Sequence, residues 1–218
     1  SAFHRDLKRP VAVKYPLDDP GDSSVDFAAL IRREFDLIGG LRFPGLVRAL
    51  EDPSPRFDHI YLELCRGRTL DQLERIEDVT LALNIISALA LDLEFLNASG
   101  LVHGDLKPHN VFLPSSLDWL ASGRPAYVKL SDFSMGRRYD EHNRYRIGLG
   151  TVGYMAPETV TDSVADHRSD LFALGIIAYQ MLTGRHPFMD KHSDPVEVNS
   201  RIRETSPPAV RHLRPELP

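Results

Sequence analysis

Apolar residues recur along this chain in three rhythms, and each rhythm predicts a different kind of element. In Pro10 to Tyr15 (PVAVKY) β-branched residues alternate with others, which predicts a strand. After a loop rich in Asp, Pro, Gly and Ser over Pro16 to Ser24, the residues Phe27, Leu30, Ile31, Phe35 and Ile38 fall at helical spacing. Ser23 or Ser24 can cap that helix, and Gly39 with Gly40 closes it. A strand pair is predicted at Leu46 to Leu50 and His59 to Leu64. From Val79 to Ala98 a helical stripe carries Ala82, Ile85, Ile86, Leu89, Leu93 and Leu96, stopped by Gly100. Short strands are predicted at Val111 to Leu113 and Tyr127 to Ser131. The segment Asp170 to Leu182 is apolar on every face, which predicts a buried helix ended by Thr183-Gly184, with Pro187 soon after. No repeat or low-complexity tract appears. The pattern implies an α+β class: a small β-rich lobe, then a helical lobe, joined near Glu63 to Gly67.

Composition narrows the setting. The 218 residues are 42% hydrophobic, enough for one good-sized domain or one two-lobed one. A net charge of −5 supplies no basic field for nucleic acid, and no Lys/Arg run suggests contact with a membrane surface. A single cysteine, Cys65, excludes a disulfide framework and favours a reducing compartment. The longest apolar stretch is expected around Leu171 to Leu182, about a dozen residues and short of the ~20 that span a bilayer. No signal peptide is visible, although the chain does not begin with Met. A cytoplasmic location is the expectation.

One charge breaks the first helical stripe. Glu34 lies three or four residues from Leu30, Ile31 and Ile38, so its carboxylate sits on the apolar face. A charge placed there is costly unless paired, and Lys14 on the preceding strand is the natural partner. By itself a strand lysine is more often an exposed charge. Arg33, the neighbouring residue, is expected to face elsewhere as a solvated charge.

Three motifs then follow in order: HGDLKPHN (His103 to Asn110), SDFS (Ser131 to Ser134) and GTVGYMAPE (Gly150 to Glu158). With VAVK ending at Lys14, they resemble the protein kinase family, specifically its Ser/Thr branch, over nearly the whole chain. The resemblance implies a two-lobed kinase-like fold, ATP and Mg²⁺ as cofactors, and a protein substrate with a Ser or Thr hydroxyl. It implies that Asp105 orients that hydroxyl and accepts its proton, help typically worth ~10²–10⁴-fold. Lys107 would neutralise charge on the transferring phosphoryl, and Thr151 would hydrogen-bond both. Asn110 and Asp132 would hold the metal; Lys14, paired with Glu34, would meet the α- and β-phosphates. Leu62-Glu63-Leu64-Cys65 resembles the hinge, with Leu62 as gatekeeper and the Glu63 carbonyl and Cys65 amide at the adenine edge. Ala12 above and Phe112 below would sandwich the ring, although such single apolar residues are core by default. His103 reads as a packing residue, Asp170 as an acceptor for catalytic-loop N–H groups, and Cys65 as an inert half-buried thiol.

The chain also departs from the family. Gly104 stands where most kinases carry an arginine that pairs with a phosphate on the activation segment. That segment, Met135 to Gly150, contains no Ser or Thr, only Tyr139 and Tyr145. Both features imply that activity does not need phosphorylation there. Ser134 replaces a glycine, which is expected to restrict flipping of the segment. Glu158 usually pairs with an arginine from a late helix that this chain does not reach, so it is expected either to be left without that partner or to use another basic group. His109 replaces a residue that is acidic in some kinases, so a preference for basic substrates is not supported. A long connection, Pro114 to Pro125, carries Trp119. No glycine-rich loop precedes PVAVK, and Ser1-Ala2-Phe3 look like the end of the strand that follows such a loop. The chain is thus expected to be truncated at both ends, as a partial N-lobe (1–63) and a partial C-lobe (64–218), weak or inactive as a piece. HGD followed by Asn also occurs in small-molecule phosphotransferases, but these should lack the GTxxYxAPE string. The rival from another class is a pseudokinase, a nucleotide-binding or scaffolding module. Oligomeric state is not indicated.

Overall fold

The computed structural model describes residues 1–15, 27–50, 59–73, 75–114, 128–139, 145–146 and 150–217. The first strands are short and antiparallel. β1 (Ala2–His4) pairs with β2 (Arg9–Lys14), and β2 pairs with β4 (Ile60–Glu63), which also takes β3 (Ala49–Leu50) on its other edge. The sheet order is β1-β2-β4-β3. Helix α1 (Phe27–Ile38) belongs to the same part of the chain and lays Ile31, Glu34, Leu37 and Ile38 inward. Its expected caps, Ser23 and Ser24, fall outside the described residues, as do Tyr127 and Trp119.

Strand β3 is shorter than the predicted Leu46 to Leu50, for a reason that matters to the architecture. The backbone of 45–47 is engaged elsewhere: Val47 N–H donates to Leu130 O (2.8 Å) and Leu130 N–H donates to Gly45 O (2.8 Å). Since Leu130 lies in β7 (Lys129–Leu130), which pairs with β6 (Val111–Phe112), these bonds stitch the loop after α1 onto the second half of the chain.

Helices dominate that half. α2 (Val79–Ala98) begins at Asp78, whose carboxylate accepts from Thr80 and Leu81 N–H, and ends before Gly100 in the left-handed region (φ 67°). The stretch Leu171 to Leu182 is not the longest apolar one, since α2 is itself long and apolar enough to cross a membrane. Here α2 serves as a core helix instead: Ala82, Ile85, Ala88, Leu89, Asp92, Leu93 and Leu96 are buried, in the same cluster as α4 residues. Two-residue strands follow: β5 (Leu101–Val102) pairs with β8 (Arg137–Arg138), and β9 (Tyr145–Arg146) with β10 (Val164–Ala165). A short α3 (Pro157–Asp162) precedes β10.

α4 (His167–Thr183) starts three residues before the predicted Asp170. Asp166 and Ser169 form a reciprocal cap: Arg168 N–H donates to Asp166 Oδ1, and Asp166 N–H donates to Ser169 Oγ. Its burial is not complete all round, because Leu171 is about half exposed. α5 (Pro195–Glu204) and α6 (Val210–Leu213) complete the chain. The main core joins α2 and α4 through Ile85, Leu89, Leu96 and Ile177, and reaches Leu106, Val111, Leu130 and Phe133. The loops that carry the three motifs thus rest directly on the most buried residues.

Candidate active site

Three segments far apart in sequence meet at the end of β2. Lys14 Nζ lies 2.5 Å from Glu34 Oε2 and 2.7 Å from Asp132 Oδ1. Glu34 is almost fully buried, and its second oxygen accepts the Phe133 N–H at 3.1 Å. Burial works to lower the Lys14 pKa, but the two carboxylates together outweigh it and raise it. Burial pushes the Glu34 carboxyl up, and Lys14 opposes that push. Burial would raise Asp132 as well; there Lys14 and the Ser134 bonds prevail and hold it low. Asp132 itself turns through the left-handed region (φ 63°), a conformation rare for a residue with a Cβ.

A second cluster sits on the catalytic loop. Lys107 Nζ donates to Asp105 Oδ2 (2.6 Å) and to Thr151 Oγ1 (2.8 Å). Thr151 closes the ring by donating its hydroxyl (2.6 Å) and its backbone N–H (3.1 Å) to Asp105 Oδ1. The loop is fixed from beneath. Asp170, near the start of α4, accepts the N–H groups of His103 (2.8 Å) and Gly104 (3.0 Å), and its burial raises its pKa. Gly104 takes φ 77°, the left-handed kink that carries the chain into Asp105. His103 is fully buried, with Nε2 3.1 Å from Ser131 O and its ring 4.7 Å from that of Phe133.

Asn110 stands between the clusters. Its amide donates to Asp105 O (2.8 Å), and its backbone carbonyl accepts from Ser131 N–H (2.9 Å) and Ser131 Oγ (3.2 Å). That leaves the Asn110 side-chain oxygen and the second oxygen of Asp132 as donors. Hard oxygen ligands in this small number suit Mg²⁺, which characteristically keeps other positions for water and phosphate oxygens. Among the described residues no group of three or more His, Cys, Asp or Glu gathers, so an all-protein metal cage is not present there. The donor set fits the implied ion.

The hinge residues are placed around the same region without joining either cluster by hydrogen bonds. Ala12 and Leu62 face each other across the β2–β4 register, and Phe112 is half-buried on β6. The Glu63 carboxylate turns to Lys129 (2.9 Å) and the Arg48 N–H (3.4 Å). Burial, then the neighbouring Glu63 charge, pushes the Cys65 thiol up to about 11, which leaves it unreactive.

Three contacts were not visible in the sequence reading. Ser134 Oγ donates to Asp132 Oδ1 at 2.8 Å, so the residue that replaces glycine ties its hydroxyl to that carboxylate. Arg33 is not a solvated charge: Nη2 donates to Gly136 O at 2.7 Å, and burial lowers its pKa. Glu158 accepts a hydroxyl, Ser169 Oγ at 3.1 Å. A serine hydroxyl two residues from a carboxylate is a readable signal. A guanidinium aimed at a backbone carbonyl leaves none.

Comparison with known proteins agrees with this geometry. The protein kinase domain family matches residues 1–214. The serine/threonine-protein kinase Pkn1 of Myxococcus xanthus is 38% identical over 80% of this chain and 23% of its own length. The human serine/threonine-protein kinase ULK3 is 34% identical over 78% of this chain and 35% of its own. The probable serine/threonine-protein kinase PknB of Bifidobacterium longum is 25% identical over 94% of this chain and 31% of its own. The chain belongs to the protein kinase domain family and to its Ser/Thr branch, with the α+β kinase fold. It spans between 23% and 35% of the length of these relatives.

Proposed function

We propose that the full-length protein transfers the γ-phosphoryl of ATP to a Ser or Thr hydroxyl of a protein substrate, in the cytoplasm. The observation that carries the proposal is the meeting of Lys14, Glu34 and Asp132 within hydrogen-bond distance, from segments 20 and 118 residues apart. A lysine held between two carboxylates at a sheet end has little structural purpose and a clear chemical one, which is to meet polyphosphate oxygens. The division proposed is an N-lobe over 1–63 and a C-lobe over 64–218.

In the proposed reaction the hydroxyl oxygen forms a bond to the γ-phosphorus while the bond from that phosphorus to the bridging oxygen breaks, releasing ADP. Asp105 orients the hydroxyl and takes up its proton; its Oδ1 is committed to Thr151, so Oδ2, shared with Lys107, faces the substrate. Lys107 offsets negative charge on the phosphoryl in flight, and Lys14 holds the α- and β-phosphates. Mg²⁺, held by Asn110 and Asp132, would supply neutralisation of the phosphate charge. Ala12, Leu62 and Phe112 would enclose the adenine, with the Glu63 and Cys65 backbone at its edge. Most of the rate then comes from positioning and preorganised charge.

The test is a Mg·ATP phosphotransfer assay on the full-length protein beside its Asp132→Asn variant. The variant should be slower by about 100-fold or more, the effect of removing one charge-stabilising group. Equal signal from both, or none from either, would instead indicate a scaffolding module.

A further inference from the structure

Two guanidinium groups converge on one backbone oxygen at the start of the activation segment. Arg33 Nη2, reaching across from α1, donates to Gly136 O at 2.7 Å. Arg137 Nη1 donates to the same oxygen at 2.7 Å and to Met135 O at 3.0 Å. The acceptor is well confined: Gly136 is buried, and its N–H donates to Phe133 O at 2.9 Å. A Cβ added there would meet Phe133 O at 3.0 Å and both Leu37 Cδ1 and Val102 O at 3.4 Å. The carbonyl therefore has little freedom to turn away from its two cationic donors.

Arg33 adjoins Glu34, and this makes the contact more than a surface tie. Hydrogen bonds tie α1 to the segment at two separate points, Glu34 Oε1 accepting the Phe133 N–H and Arg33 donating to the Gly136 carbonyl, among the described residues. One touch lies just after Asp132 and the other three residues later, so both position and rotation of the segment are set relative to α1. A single bond would leave the segment free to swing about it. Charge-assisted bonds from a planar fork are the strong, directional kind. Meanwhile Gly104 removes the usual phosphate receptor, and Met135 to Gly150 offers no Ser or Thr to modify.

We infer that Arg33 is a positioning residue that, with Arg137, uses the Gly136 carbonyl in place of a phosphate to lock α1 and Asp132 together. The device rests on the kinase reading of the site and specifies how that site is regulated: the lysine–glutamate pair and the metal aspartate are assembled without prior modification. Arg33 touches no substrate and acts through Glu34 and Asp132.

The experiment uses the full-length protein, treated with phosphatase and compared with untreated enzyme. Arg33→Met removes the donors and keeps the apolar stem; Arg33→Lys restores one charged donor. Arg33→Met should lower kcat by about 20-fold, less than the ~100-fold of a fully misplaced group, with KM for Mg·ATP within about threefold. Arg33→Lys should return kcat to within about threefold of wild type, a rescue that lost packing would not show. Phosphatase should leave wild-type turnover unchanged. The inference is overturned if Arg33→Met keeps wild-type kcat, if Arg33→Lys fails to rescue, or if phosphatase abolishes wild-type turnover. If Arg33→Met does not fold, Arg33→Ala, which also removes the donors, carries the same kcat comparison. Failure of the kinase reading looks different, since wild type and Asp132→Asn would then give equal signals.

Discussion

Glu34 and Asp92 are equally hidden carboxylates, 2% and 3% exposed, and burial pushes both up, but they differ in what meets them. Glu34 has a lysine on one oxygen and a backbone N–H on the other. Asp92, on the buried face of α2, has no hydrogen-bond partner for Oδ2, and its burial pushes the carboxyl up to about 8, with Lys129 opposing only in part. Burial is therefore common to both, and partners decide the outcome. In the first case a lysine and a backbone N–H oppose the upward push of burial; in the second Lys129 opposes it only in part, and the group is largely protonated at neutral pH. The contrast separates a buried acid that belongs to chemistry from one that belongs to packing. Asp92 is packing: an ideal Cβ on Gly45 would fall 1.6 Å from its Oδ1, so the carboxyl fills space against a bare backbone.

The largest expected effect comes from turning one case into the other. Lys14→Met leaves Glu34 with only the Phe133 N–H, so Glu34 should begin to behave like Asp92. Phosphotransfer should fall by about 100-fold or more, from loss of a positioned charge. Unfolding measured against pH should reveal a new destabilisation of about 2 kcal/mol at pH 8 that shrinks as pH falls towards the ordinary carboxyl range, because the unfolded chain releases the Glu34 proton more readily than the buried site does. A pH-independent loss would break the comparison.

Gly45→Ala comes next. The added carbon has no room beside Asp92, and overpacking of this kind should cost about 3 kcal/mol in chemical denaturation. The double variant with Asp92→Ala should recover much of the loss, since the clash is with that side chain.

Asp92→Asn should stabilise. The native carboxyl holds its proton up to about 8, whereas the unfolded one releases it near its ordinary value of about 3.9. Native stability contributed by the charged form is therefore absent, and the cost of Asp92 grows as pH rises between those values. The asparagine should raise unfolding free energy by about 2 kcal/mol at pH 8 and change it little at pH 4, flattening the slope between. An unchanged slope would show that Asp92 is charged and paired after all.

Ser134→Ala is the smallest. Loss of one bond to Asp132 Oδ1 should cost about 1 kcal/mol of aspartate positioning, a turnover decrease of about fivefold. Ser134→Gly should resemble it, and a full loss of activity in either would mean the hydroxyl has a larger part than support.

How far the sequence could be read follows from the same contrast. α2 and α1 were legible because apolar stripes report the buried face, and the catalytic loop was legible because its residue types admit few other uses. Asp92 was within reach of that logic. It stands three residues after Leu89 and four before Leu96, on the stripe that betrays Glu34 as out of place on α1. The helices at Pro157 and Pro195 were also signalled: Asp194, Pro195 and Glu197 supply a cap, a first-turn proline and an acid near the positive end. What no pattern could show is pairing through backbone. The bond from Arg33 to a carbonyl 103 residues away, and the use of residues 45–47 by Leu130, depend on main-chain atoms that every residue has.

Gly104 carries a consequence for how such a domain can change. The left-handed turn before Asp105 is free of Cβ repulsion there, while an L side chain at that position would meet a steric cost of roughly 1 kcal/mol. An arginine placed there would thus add tension to the strip of chain that Asp170 holds from below. With no Ser or Thr between Met135 and Gly150, the phosphate it would pair with could come within that segment only from Tyr139 or Tyr145. For the proposed kinase, a change towards control by phosphate therefore starts uphill.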